Sequence, residues 1–177
     1  MTRILTAAAL ALLLAIPANP VRAQAPSPTL DAKAAPITTL DHEFLIKDAQ
    51  GGVYEVAIAA LAQQRSSRDD VKAYAARIIA DHAVYTQALQ ELARAKGIEL
   101  PTTMTAQDQV RLNSINSQVR STADRSFLEE ATRINAEDRQ DAADEISRTA
   151  DPDIKAFLQK FEAVDAEHER MGLALHR

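Results

Sequence analysis

The sequence predicts an all-α fold: four long helices in two antiparallel hairpins, joined by a crossover segment that carries a short helix of its own. Three observations carry this expectation. Apolar residues recur in steps of three and four along four long stretches, and none of the chain alternates with the period of a strand. Aromatic residues make up only 4% of the chain, few for a sheet-rich protein. The breaks at Ser66-Ser67 and at Asp151-Pro152 are short, whereas the one that begins at Gly97 is long.

Each element has its own signals. Arg3, the apolar stretch from Ile4 to Ile16 and Val21-Arg22-Ala23 form a secretion signal covering 1–23, with Ala23-Gln24-Ala25 as a second cleavage position. Residues 24–38 are rich in Pro, Ala and small polar residues without apolar period, and read as a flexible tether. The bundle occupies 39–177. Its first helix runs over 39–65, with Gly51-Gly52 marking a bend or a close approach to a neighbour. Ser67 and Asp70 resemble a capping box for a second helix over 68–96, which Gly97 ends and Pro101 keeps from resuming. Thr105 caps a short helix over 107–119, too poor in large apolar residues to lie inside the bundle. A third long helix covers 122–149, and Asp151-Pro152, an N-cap followed by proline, opens the fourth. Two tight hairpins about a long middle connection make the connectivity ferritin-like.

Composition narrows the function. Loss of residues 1–23 removes Arg3 and Arg22, so the formal charge of −5 becomes −7, an acidic balance that argues against a nucleic-acid partner. No stretch after the signal is long and apolar enough to span a membrane. The chain has no cysteine, so export serves neither disulfide formation nor attachment of lipid to an N-terminal cysteine. There is no glycine-rich phosphate loop, and the hydroxyl residues lie at caps and polar faces, so the expected role is that of a non-enzymatic binding module, with a metal-binding redox or metal-storage-like protein and a purely structural interaction domain as the alternatives. A second copy of the chain remains open as a partner.

The chemistry concentrates in two histidines. The inward series of the second helix reads Val71, Ala75, Ile78, His82, Tyr85, Leu89, Leu92, and that of the last reads Ile154, Phe157, Phe161, Val164, His168, Met171, Leu175. An imidazole in an apolar interior needs partners for its ring nitrogens, so a polar layer must cross the bundle. Counting from the turns at ~1.5 Å per residue brings Glu55 level with His82, and Asn135 and Asp138 level with Asp165 and His168. Glu55, His82, Asp138, Asp165 and His168 are therefore the candidate metal ligands, a mixed nitrogen and oxygen set suited to zinc, iron or manganese. Asp165-Ala166-Glu167-His168 approximates the Glu-x-x-His of helical di-metal centres, but Ile79 stands where the second helix would need its carboxylate. A single-metal site and a layer in which buried carboxylates merely satisfy the histidines and set the register are both open. Asp81 lies at the edge of the seam, and His42 and His176 are expected to be exposed.

Phe44-Leu45, Gly51-Gly52-x-x-Glu55-Val56, Val71-Lys72-x-Tyr74-Ala75 leading to Asp81-His82, Gly97-Ile98-x-Leu100-Pro101, Asp124-Arg125-x-Phe127 and the late His168 resemble a known pattern. It is that of the ferritin-like domain of unknown function found in many exported bacterial proteins, and the resemblance covers about residues 40–175. It implies a periplasmic or secreted four-helix protein, an association with envelope stress, and no established activity. Glu55, Asp81, His82 and His168 match its polar positions, whereas Ile134-Asn135 stands where members often carry a further Asp-His. Export predicts a mature chain beginning at Gln24 or Pro26; intact-mass measurement of the secreted protein checks this, and a secreted form retaining residues 1–23 contradicts it.

Overall fold

The computed structural model describes residues 37–176; the expected secretion signal and all but the last two residues of the expected tether lie outside them. Within the described residues the fold is all-helical: α1 (Thr39–Arg65), α2 (Asp69–Lys96), α3 (Ala106–Ser117), α4 (Arg120–Arg148) and α5 (Pro152–Leu175). Thr38 and Asp41 close a reciprocal capping box, in which the Asp41 amide donates to Thr38 Oγ1 (3.1 Å) and the Thr38 amide to Asp41 Oδ2 (2.8 Å). Gly97 ends α2 in the left-handed conformation at φ 70°, which a side chain would strain. Thr105 caps α3, and Asp151 accepts from the amides of Asp153 and Ile154 with Pro152 in the first turn of α5.

One local expectation is corrected. Ser67 does not cap α2: the N-cap is Arg68 without a side-chain cap bond, and Ser66 Oγ instead accepts from the Arg68 amide at 3.0 Å within the turn. Of the two readings of Gly51-Gly52, close approach rather than a break fits, since α1 is continuous from Thr39 to Arg65. A methyl group at Gly51 would meet open space, whereas one at Gly52 would lie 3.5 Å from Nδ1 of His82, so only the second glycine faces a neighbour closely.

The four long helices pack side by side. α1 lies along α2 and α4 along α5, and the pairs join through α2 with α5 and α1 with α4. Helix direction follows from which residues share a core. One apolar cluster takes Tyr54, Ile58 and Ala62 late in α1, Val71, Tyr74 and Ile78 early in α2, and Phe127, Leu128 and Ala131 early in α4. The other takes Leu45 and Ala49 early in α1, Leu89 late in α2, Ala142 late in α4, and Ile154, Phe157 and Phe161 early in α5. α1 and α5 therefore run one way and α2 and α4 the other. The connection from α2 to α4 must travel the length of the molecule, and α3 does so along α1 and α4 with Ile115 as its one buried residue. Its far end is held by Arg65, whose guanidinium donates to the Asn116 and Gln118 carbonyls. At the opposite end Lys96 bridges Asp151 and Asp153 at 2.7 and 2.6 Å, tying the end of α2 to the start of α5.

Candidate functional site

Between the two apolar clusters every long helix contributes a buried polar residue: Glu55 from α1, His82 from α2, Asn135 from α4 and His168 from α5. A carboxylate, an amide and two imidazoles in such a place are tolerated only if their polar atoms are paired. Glu55 Oε2 accepts from Nε2 of His82 at 2.9 Å, and Glu55 Oε1 accepts from the Asn135 amide at 2.5 Å. The same Asn135 nitrogen donates to the Ala131 carbonyl, which leaves Asn135 Oδ1 as an acceptor for Nδ1 of His168 at 3.2 Å. Nε2 of His168 meets Asp81 Oδ2 at 2.9 Å, and Arg77 Nε donates to that same carboxylate at 2.5 Å. The result is one hydrogen-bonded chain from the surface pair Arg77–Asp81 to His82.

Electrostatics follow from these contacts. Burial pushes the Glu55 carboxyl up, but the His82 and Asn135 hydrogen bonds outweigh it and hold the group below the ordinary carboxylate range. Burial pulls the His82 imidazole down, and the hydrogen bond and charge of Glu55, with Asp165 and Asp138 nearby, outweigh that and raise it. Both ring nitrogens of His168 are engaged by neighbouring oxygens, Nδ1 by Asn135 and Nε2 by Asp81.

His82 differs. Its Nδ1 is buried and has no hydrogen-bond partner. It faces Gly52, and both residues line a void of about 20 Å³, room for roughly one water molecule or ion, walled by Asp48, Asp81, Asp138 and Asp165. The void continues into a cleft of about 230 Å³ that shares Asp48, Tyr85, Asp138 and Asp165. Tyr85 donates its hydroxyl to Asp48 Oδ2 at 2.7 Å and fixes that carboxylate. Desolvation pushes Asp48 up to about 6 despite the Tyr85 bond, and pushes Asp165 up to about 7, with the charges of Glu55 and Asp48 adding. Asp138 is raised well above the usual range by burial and by Glu55, Asp48 and Asp165. Each of the three keeps part of its surface open to the cleft, so water tempers their repulsion and the directions carry the argument.

Residues 26–175 match the family described as "Domain of unknown function (DUF4142)". The chain belongs to that family. Among solved structures, a DUF305 fragment from Deinococcus radiodurans is similar in fold, with a TM-score of 0.72 at 13% identity over 80% of this chain and 98% of the fragment. No curated protein matches the chain.

The five expected ligands of this DUF4142 member share one level but divide into two groups. Ligand atoms of Glu55, His82 and His168 lie within 4.8 Å of one another, and there the polar chain uses both Glu55 oxygens and both His168 nitrogens. Asp138 and Asp165 face the void on the other side of His82. Asp48 and Tyr85 were missed as site residues, although Asp48 lies on the inward stripe of α1 with Glu55 and Tyr85 one turn beyond His82, spacings that place them beside the layer. His42 and His176 are exposed.

The raised carboxylates fix a pH dependence. A group whose folded pKa lies above its unfolded value stabilises the fold below the unfolded value, and that contribution is lost as pH rises through the folded one. Asp48, Asp138, Asp165 and His82 all have this sign, with Asp48 and Asp165 titrating near about 6 and about 7. Metal-free protein should therefore be more resistant to urea at pH 5 than at pH 8, with the gap narrowed in Asp165→Asn. Equal midpoints, or a higher one at pH 8, would contradict the clustering of these acids.

Proposed function

We propose that the protein is an exported, non-enzymatic binding module with a ferritin-like helix arrangement, and that its central polar layer takes up a divalent metal ion. The observation that carries this reading is the unpartnered, buried Nδ1 of His82 facing an ion-sized void among carboxylates. A buried imidazole nitrogen without a partner is costly in an inert core. Three carboxylates beside it, mutually repelling and desolvated, are costly too, and a dication relieves both at once. Zinc, iron(II) and manganese(II) suit such mixed nitrogen and oxygen donors.

The non-enzymatic part rests on the layer's construction. His168, Asn135 and Glu55 are bonded to one another on all sides that face the core, which suits them to holding helices in register rather than to turning over a substrate. Among the described residues no helix is long and apolar enough to cross a membrane, in keeping with a module that works beside the membrane rather than in it. Export itself rests on the sequence of residues 1–23 and the family resemblance.

Ligand binding to the native state alone stabilises it by mass action. After exhaustive chelation, the unfolding temperature should climb with added zinc, iron(II) or manganese(II), and the climb should survive in a His42→Ala, His176→Ala double variant that removes the exposed imidazoles. Absence of any shift with all three ions would refute the reading.

A further inference from the structure

Accepting a metal ion in the polar layer leaves open which atoms hold it, and two sets compete: Glu55, His82 and His168, or the residues around the void. We infer that the ion is bound by Nδ1 of His82 together with the carboxylates of Asp48, Asp138 and Asp165, a one-nitrogen, oxygen-rich site of which Asp48 and the Nδ1 atom are the new members.

The two imidazoles decide between the sets. Both nitrogens of His168 are engaged, Nδ1 with Asn135 (3.2 Å) and Nε2 with Asp81 (2.9 Å), so ligation would require it to break one of those contacts. Ligation through Nε2 of His82 beside Glu55 would replace the hydrogen bond between them. At Nδ1, His82 needs no such rearrangement. Its Nε2 donates to Glu55, which in the neutral ring leaves the lone pair on Nδ1, and that nitrogen is nine-tenths buried in a residue lining the void. Histidine ligands ordinarily present one nitrogen to the metal while the other donates to a carboxylate that fixes the tautomer and raises basicity. Glu55 stands in that supporting position.

The void supplies the rest once its carboxylates turn toward Nδ1, since the ligand atoms already within 4.8 Å of one another are those of Glu55, His82 and His168. Its walls come from three helices besides α2: Asp48 from α1, Asp138 from α4 and Asp165 from α5, while α2 adds Asp81, whose Oδ2 is held by Arg77 and His168, beside His82. Tyr85 occupies only Oδ2 of Asp48 and so leaves Oδ1 for a ligand, while among the described residues no hydrogen bond claims the carboxylates of Asp138 or Asp165. Gly52 keeps the approach to Nδ1 clear, since a Cβ there would lie 3.5 Å from it. Absence of thiolate donors and the preponderance of oxygen place the ion among divalent first-row metals rather than copper(I). The nitrogen favours them over calcium and magnesium, and zinc should bind more tightly than manganese.

The test is zinc binding by equilibrium dialysis, with manganese and magnesium as comparisons. Wild type should hold one zinc ion, bind manganese more weakly and magnesium weakest. Asp48→Asn and Asp165→Asn should each weaken zinc by more than the ~10–100-fold expected for loss of a supporting residue such as Glu55 in Glu55→Gln. Both aspartate variants should also melt higher than wild type when metal-free, which shows that they fold. His168→Gln should keep zinc affinity within a few-fold. If that variant does not fold, the ring nitrogens of His168 in wild type are read by nitrogen-15 NMR, and they should not move on zinc addition. Retained zinc in the two aspartate variants, or displacement of the His168 nitrogens, would overturn the assignment while leaving metal binding by the layer intact. A wild-type protein that binds no zinc, iron(II) or manganese would instead refute the wider reading.

Discussion

The bond between Glu55 and Nε2 of His82 is the constraint on which the rest of the molecule turns. Glu55 is 1% exposed and sits between two apolar clusters, so its charge must be met on every side or the helix that carries it cannot dock. His82 meets one oxygen and Asn135 the other, and those two residues come from α2 and α4. Removing a partner from a buried pair of this kind costs about 3–5 kcal/mol, far more than a surface ion pair supplies. The numerous pairs on the outside, such as Lys47 with Asp141 or Arg170 with Glu167, are correspondingly minor.

That constraint also sets register. Sliding one helix by a turn would carry its polar residue into the cluster of Tyr74 and Phe127 or into that of Phe157 and Phe161, leaving the others unpaired. Apolar burial drives the four helices together without direction; the polar chain chooses the height at which they stop. Tyr74 strengthens the choice, since its hydroxyl donates to the His168 carbonyl at 2.9 Å. At Gly172 a methyl group would collide with Thr132 Oγ1 and crowd the Tyr74 hydroxyl, so α5 approaches its neighbours there as closely as the backbone allows.

Much of this was legible in the sequence because period and punctuation are local. The step of three and four located the long helices, Gly97 and Asp151-Pro152 located two of their ends, and counting from the turns put Glu55, His82, Asn135 and His168 on one level. Capping at the start of α2 was misread because Ser66 and Ser67 are adjacent and only the fold decides which hydroxyl turns back to the Arg68 amide. The division of the five candidate ligands was not legible at all. Spacing gives the face a side chain occupies, whereas which of two imidazole nitrogens is left open depends on partners 27 to 80 residues away. Asp48 was passed over for the same reason: as a sequence position it is a polar interruption of an apolar stripe, and only the approach of α2, α4 and α5 makes it a wall of the void.

The central claim is that the polar chain holds His82 with Nε2 donating and Nδ1 open. Nitrogen-15 NMR of the histidine rings in chelated protein, above the pH at which His82 loses its second proton, reads this directly. The account predicts a protonated Nε2 and a lone-pair Nδ1 for His82, persisting as one tautomer. A ring protonated at Nδ1, or one averaging both tautomers as a solvent-exposed histidine does, would contradict it.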